Sequence, residues 1–384
     1  MFGRGMHLFY LFGFDIRLDI SWFFIAILLT WSLAQGLFPM MIPDLSAADY
    51  WLMGLVGMLT LFLSIVLHEI GHSVVARRYK LGITSITLFI FGGVADLKEE
   101  PKSPGAEFLI AIAGPIVSVL IAIGFFAVTV LGLFMGWPLQ VLAITEYLWF
   151  INAILVIFNM IPAFPLDGGR VLRAALWKFK GNIKSATRIS SAIGSTFGVL
   201  LMVLGVFAFA TGNIIGGLWW ILIGLFVRAA ASMSYKQLLM RQELEGESID
   251  KFLHGNPVTV DPDLTIEELV NEYIYSDYHS IYPVVENKRL QGYVSLEEVK
   301  NYPRDEWNRR SMADIYVPVS EENTITAGSD AMQALIKMSK NGRSELMVNN
   351  DGHFAGIVAQ RDLLRYFSVK SELRGEEEEK RPSV

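Results

Sequence analysis

Two histidines one helical turn apart, His68 and His72, with Glu69 between them, form the densest chemical constellation in the chain. In a helix, side chains at i and i+4 share a face. Two imidazoles so placed can bind one Zn²⁺, with Glu69 as general base toward water. The competing reading is a pair of core histidines hydrogen-bonded to neighbouring helices. The surroundings weigh against it. The stretch lies inside an apolar run, where ionisable groups are expensive and usually functional, and the chain holds only six histidines in 384 residues. There is no cysteine, so neither a disulfide framework nor a thiolate zinc site can form. Any further ligand must be His, Asp or Glu.

A candidate third ligand follows the fourth apolar segment, in Asn159-Met160-Ile161-Pro162-Ala163-Phe164-Pro165-Leu166-Asp167-Gly168-Gly169-Arg170. Pro162 and Pro165 cannot continue a regular helix, and Gly168-Gly169 frees the backbone further. Asp167 is thereby expected on irregular backbone at membrane depth, which is tolerated only inside protein or beside a cavity. Asp167 can cap the helix that begins near Arg170, or it can complete the donor set. His68, His72 and Asp167 together leave a fourth position for water, as a catalytic zinc site requires.

The elements that must position these groups are largely apolar. Hydrophobic residues make up 53% of the sequence, which excludes an ordinary soluble enzyme. The net charge of −6 gives no nucleic-acid signal. Asp15, Arg17 and Asp19 precede the first apolar run, so the first twenty residues do not read as a cleaved signal peptide. Six segments suit the roughly 20 residues a bilayer needs: residues 20–38, 51–76, 107–133, 139–161, 193–210 and 214–231. Arg77, Arg78 and Lys80 follow the second. Arg170, Arg173, Lys178, Lys180, Lys184 and Arg188 follow the fourth, whereas the loop at 39–50 has no Lys or Arg. The positive-inside rule then places the N-terminus and the C-terminal part in the cytoplasm, and brings the histidine pair and Asp167 to similar depth.

Between the second and third segments, residues 83–91 are β-rich and Gly92-Gly93 breaks them. Such a hairpin either plugs the helix bundle or offers a strand edge to an extended peptide. A protease that cuts a membrane helix needs an edge of this kind, because a helix satisfies its own backbone and hides its peptide bonds. Gly92 and Gly93 would let a second backbone approach closely.

The His68-Glu69-Ile70-Gly71-His72 helix, the Phe91-Gly92-Gly93 strand and the Asn159 to Gly169 motif together resemble the site-2 protease family of intramembrane zinc metalloproteases, over roughly residues 8–235. The resemblance implies one Zn²⁺ per chain held by His68, His72 and Asp167. It implies Glu69 as the base, and Asn159 as a group that contacts substrate or stabilises the oxyanion. Packing through a side-chain hydrogen bond is the other role open to Asn159. Gly114-Pro115 also fits the family, whereas Ser118 stands where Asn is common.

The remaining sequence is charged and mixed. After a polar linker at 236–247 it shows a repeat of about sixty residues with the order strand, helix, strand, strand, helix. Gly292 matches Gly356, and Glu298 matches Asp362. The halves, 248–305 and 311–370, resemble a tandem of cystathionine-β-synthase (CBS) domains. Such pairs bind adenosyl ligands through a Ser/Thr and an Asp near the last helix. The first half has Ser295 but Glu298, and the second has Asp362 but Ala359. The pattern therefore allows one composite site of Ser295 and Asp362, or a pairing module that binds no nucleotide. Residues 371–384 read as a disordered acidic tail.

The fold class expected is a polytopic α-helical membrane protein, with six transmembrane helices, a membrane-associated β-hairpin and a cytoplasmic α+β CBS pair. The function expected is intramembrane zinc endopeptidase activity on membrane-anchored proteins, gated by nucleotide at the CBS pair. The partners expected are the substrate protein, the lipid bilayer, an adenosyl ligand and a second copy of the chain through the CBS domains, with no nucleic acid. A CBS-regulated membrane sensor or transporter is the alternative, and a catalytically dead scaffold a third; both leave the zinc constellation unexplained.

Overall fold

Among the described residues, six helices are long and apolar enough to cross a membrane. They are α1 (Ser21–Met41), α2 (Ala47–Arg78), α3 (Pro104–Met135), α4 (Leu139–Asn159), α6 (Ile183–Ala210) and α7 (Ile214–Leu244). A shorter helix, α5 (Asp167–Lys180), follows α4. The structure, a computed structural model, describes residues 5–90, 92–97, 100–253, 257–277 and 279–379. It divides into two compact units, Met1–Leu238 and Leu239–Val384.

In the first unit α2 is the organising element. Ser46 caps its start by accepting from the Asp49 N–H, and Arg77 and Arg78 end it, complementing the helix dipole at both ends. Its 32 residues span about 48 Å at 1.5 Å per residue. That exceeds a hydrocarbon core of about 30 Å, so the helix runs on past the apolar layer. The helix packs against α1, α3, α4 and a sheet. Large apolar side chains such as Phe24, Ile123 and Phe134 point away from the bundle, as lipid-facing residues do.

The sheet holds four strands in the order β1 (Met6–Leu11), β2 (Phe14–Leu18), β3 (Ile83–Phe89), β4 (Gly92–Leu97). The expected hairpin is β3–β4, but it does not stand alone. The N-terminal stretch, featureless in the reading above, forms β1–β2, and β2 lies parallel to β3 with Ile16 opposite Ile86. The alternation Phe14, Ile16, Leu18, all buried, is the period-2 signal of a strand with one face covered. β4 pairs only with β3 among the described residues, so it is an edge.

Two helical boundaries also differ from expectation. The helix expected near Arg170 starts three residues earlier, at Asp167, within the basic connection. This helix is α5, strongly one-sided, which stops at Gly181 in the left-handed region. Asn182 then caps α6, which starts ten residues earlier than its apolar run at 193 because its first turns are polar. The linker at 236–247 is mostly helix, since α7 continues unbroken to Leu244.

The second unit is a sheet of β5 (Ile281–Glu286), β6 (Arg289–Ser295), β8 (Thr324–Thr326), β9 (Glu345–Asn350) and β10 (His353–Ala359), ordered β5-β6-β10-β9-β8, with β7 (Val317–Pro318) beside β6. Helices α8 (Leu296–Lys300), α9 (Ala331–Asn341) and α10 (Gln360–Glu379) complete it. Two apolar cores correspond to the two repeats, but their leading segments are exchanged. Leu244, Ile249 and Phe252 pack among Ala334, Leu346 and Leu363 of the second half, and Met312 and Ile315 pack among Ile266, Leu269 and Val294 of the first. Backbone bonds fix the exchange: Ile249 N–H donates to Ser329 O, and Met312 N–H to Leu264 O. Glu247 adds a polar tie, accepting from Lys251, Tyr366 and Lys370. The Lys251 bond foremost holds its carboxyl down at about 2. The acidic stretch read as a disordered tail continues α10 as far as Glu379, and residues 380–384 lie outside the described ones.

Because Ile249 is fully buried in the core of the other repeat, Ile249→Ala is expected to destabilise the second half by about 2–5 kcal/mol. Thermal unfolding of the full chain, with limited proteolysis mapping the first cut, checks this. The first cut is expected after residue 311, far in sequence from the substitution.

Candidate active site

His68 and His72 point from α2 toward α3 and the start of α5, and both are buried. His72 Nδ1 donates to the Ile110 carbonyl at 2.6 Å. A carbonyl can only accept, so in the neutral ring Nε2 carries a lone pair. That lone pair faces His68 Nε2 at 3.1 Å and Asp167 Oδ1 at 3.2 Å. His68 Nε2 is in turn 3.1 Å from Asp167 Oδ2, and its Nδ1 is 2.8 Å from Ser118 Oγ. Such donors, turned toward one another in a buried site, need a cation or a shared proton between them. Among the described residues these three are the group that could hold one. The spacing fits: four ligands at the 2.0–2.1 Å zinc–nitrogen distance sit at tetrahedral corners about 3.3 Å apart. The outer ring nitrogens are fixed by Ser118 and Ile110, the arrangement that orients metal-binding histidines.

Local sequence explains how this is built. Ile110 and Ser118 are two turns apart on α3, and between them Pro115 removes one helical hydrogen bond. Gly114 lies between them as well. A Cβ there would stand 2.2 Å from His72 Nε2 and 2.6 Å from His68 Nε2, so only glycine leaves room for the two imidazoles. Asp167 is the first residue of α5, with Leu166 as N-cap, and so occupies a first helical turn and not the irregular backbone expected of it. The segment before it folds back tightly: a Cβ on Gly168 would meet Met160 O at 2.3 Å, and one on Gly169 would meet Phe164 N at 2.2 Å.

Glu69 lines a cavity of about 180 Å³ with His72, Asp167, Arg170, Ser73 and the β4 residues Gly93, Val94 and Ala95. Gly93 comes so near that a Cβ on it would fall 2.7 Å from Glu69 Cγ. A free strand edge thus borders the carboxylate. Arg170 Nη1 is 3.9 Å from Asp167 Oδ1.

Comparison with known proteins bears on this geometry. The model of Peptidase family M50 matches residues 56–141 and 136–205, and that of the CBS domain matches 249–305 and 313–369. Zinc metalloprotease MJ0392 of Methanocaldococcus jannaschii is 34% identical over 341 residues, 88% of this chain and 93% of that protein. Rip3 of Mycobacterium tuberculosis is 32% identical over 359 residues, 93% and 91% of the two chains. The chain belongs to peptidase family M50, the site-2 proteases. It is a zinc metalloprotease and an integral membrane protein with tandem CBS domains. The solved site-2 protease from Methanocaldococcus jannaschii is 32% identical and covers 60% of this chain and 94% of its own, with a TM-score of 0.41.

Not every expected residue joins the M50 site. Asn159 ends α4, half-buried, and is not among the residues lining the cavity. Phe91 lies outside the described residues; Gly92 and Gly93 begin β4. Ser118, read as a departure from the family, supports His68 directly. Arg170 and Ser73 escaped the sequence reading, although Arg170 follows the Asp-Gly-Gly motif at once and Ser73 stands one turn beyond Glu69. In the CBS pair, Ser295 and Glu298 cap α8 reciprocally: the Glu298 carboxylate accepts from the Ser295 hydroxyl and N–H. β6 and β10 are antiparallel with Arg289 opposite His353, so their far ends run apart. Ser295 and Asp362 therefore lie at opposite ends of the sheet, and the composite site expected of them is not formed.

Alanine is a better helix former than glycine by about 1 kcal/mol, so Gly114→Ala is expected to leave α3 intact while its methyl group fills the space between the imidazoles. Zinc content of the purified full chain is expected to fall at least tenfold with the melting temperature held. Metal analysis beside a thermal melt reads both.

Proposed function

We propose that this M50 protease hydrolyses peptide bonds within or beside membrane-spanning segments of membrane-anchored proteins, with His68, His72 and Asp167 as ligands of one Zn²⁺ and Glu69 as general base. The observation that carries the reading is the convergence of His68, His72 and Asp167 beside a cavity that His72, Asp167, Glu69 and the β4 strand edge line. Bound there, zinc would acidify a water and polarise the scissile carbonyl.

The residues divide the remaining work. Glu69 takes a proton from the attacking water as its oxygen adds to the carbonyl carbon, and returns it to the amide nitrogen as the C–N bond breaks. The β4 edge at Gly92 and Gly93 pairs with the unwound substrate. It supplies backbone hydrogen bonds that the substrate loses on leaving its helix. The Ile110 carbonyl holds His72 in the tautomer that ligation needs, and Ser118 holds the orientation of the His68 ring. For Asn159, at the end of α4, we retain substrate contact as the role to test by substitution. The N-terminus and the CBS pair are assigned to the cytoplasm, because the basic residues cluster after His72 and after Asp167 and are missing from the loop with Asp44 and Asp49. Cleavage would then occur near the cytoplasmic face.

We also assign the CBS pair a gating role through an adenine nucleotide, together with self-association of two chains. The second half is the better candidate for the ligand, because Asp362 stands in the first turn of α10 while Ser295 is committed to capping α8.

Two measurements test these assignments. Glu69→Gln is expected to lower cleavage of a membrane-helix reporter by about 10²–10⁴-fold with zinc content unchanged; a variant that still cuts like the native chain ends the assignment of Glu69. In calorimetric titration of the full chain with AMP or ATP, Asp362→Ala is expected to weaken binding at least tenfold and Ser295→Ala to leave it in place. No heat from either nucleotide with the native chain would make the pair a pairing module.

A further inference from the structure

Glu107 has no exposed surface, and Arg173 retains only 7% of its own. They form an ion pair, with Arg173 Nε donating to Glu107 Oε1 at 2.5 Å and Nη2 on the same oxygen. Removing two charges from water is expensive, and such a pair is weak evidence for stability. Its place in the fold suggests another use. Glu107 is in the first turn of α3, three residues before Ile110, whose carbonyl orients His72. Arg173 is on α5, six residues after Asp167. The Arg173 guanidinium also lies 5.0 Å above the ring of Phe164, in the segment that folds back under Asp167. One cation thus grips α3, whose Ile110 and Ser118 meet the outer nitrogens of the histidines on α2, the helix that carries the carboxylate, and the loop between α4 and α5.

We infer that the buried Glu107–Arg173 pair is a positioning device that sets Asp167 against the histidine pair. This rests on the assignment of His68, His72 and Asp167 as the metal ligands. The guanidinium fork closes on one oxygen, Oε1, while Glu107 Oε2 has no partner among the described residues; two donors on one acceptor fix direction as well as distance. An apolar contact of similar area would let α5 slide or rotate along α3. Asp167 Oδ atoms must stay within tenths of an ångström of their place relative to two ring nitrogens for one cation to be shared. The pair acts through the ligands and touches no reacting atom.

The test uses the full chain in detergent, titrated with Zn²⁺ against a chelator, with Co²⁺ absorption reporting the ligand geometry. Replacing both charges, Glu107→Met with Arg173→Met, removes the pair without leaving a lone buried charge and is expected to keep the melting temperature. Zinc affinity is expected to fall about 10–100-fold, the range for groups that orient metal ligands, with a weakened Co²⁺ band. Cleavage is expected to return at saturating zinc with KM unchanged. Unaltered zinc affinity in a folded double variant would overturn the inference. Should the double variant fail to fold, Arg173→Lys decides. It keeps the charge but loses the fork, and an affinity equal to native would overturn the inference likewise. His72→Ala is the control. If it too binds zinc as the native chain does, the ligand assignment has failed and not the role of the pair.

Discussion

The first unit is arranged around one electrostatic problem: two imidazole nitrogens and a carboxylate brought within 3.2 Å of one another in a buried place. Without a shared cation or proton these groups repel, and the chain holds them together from several directions. The hydrogen bond from His72 Nδ1 to a main-chain carbonyl turns its Nε2 inward. The absence of a side chain at position 114 gives both rings room. A loop bent between two prolines and closed on Gly168 and Gly169 starts α5 where its first residue faces the histidines. The three donors stand on helices, which is how a site gains precision in its geometry.

Burial of the donors conflicts with the need for water and for an extended substrate, and in the proposed function the sheet resolves the conflict. A helix in hydrocarbon has no unpaired backbone, so a protein made only of helices would offer a transmembrane substrate nothing to pair with. Among the described residues the outer edge of β4 has no partner strand, and three strands behind it keep that edge from being a loose hairpin. The cavity of about 180 Å³ is several times the roughly 30 Å³ share of one water. It can take water and a peptide group together. Strand edge and cavity meet at Gly93, where a side chain would displace Glu69.

Much of this was legible in the sequence, and the parts that were not share a physical cause. The His68-Glu69-x-x-His72 spacing and the Pro-rich segment before Asp167 announce themselves because chemistry restricts both residue type and spacing. The spans were legible because hydrocarbon tolerates little else. The β1–β2 hairpin was missed because its strands are short and its pairing with β3 is long-range; a run such as Phe14 to Leu18 acquires meaning only once a partner lies beside it. The start of α6 was misplaced because the apolar signal begins where lipid contact begins, and Asn182 caps the helix well before that. Ser118 could be compared with a motif but not placed, since a hydroxyl one turn past a Gly-Pro says nothing about which ring it meets. The Glu107–Arg173 pair joins residues in different helices, and neither residue is unusual in its own neighbourhood.

The CBS pair illustrates why a repeat in sequence need not be a repeat in packing or in chemistry. The strand and helix order recurs, yet each half completes its core with the segment that leads into the other, so neither half as bounded from sequence contains the whole of its own core. The equivalent positions then diverge. At the start of α8, Ser295 and Glu298 satisfy each other and the first-turn N–H groups. At the start of α10, Ala359 offers no side-chain oxygen for the same purpose, and Asp362 stands where Glu298 is locked in a cap. A helix start closed by its own side chains has little to gain from an added anion. The halves therefore differ at the positions where their sequences correspond, and Ser295 with Glu298 is committed to structure in the first.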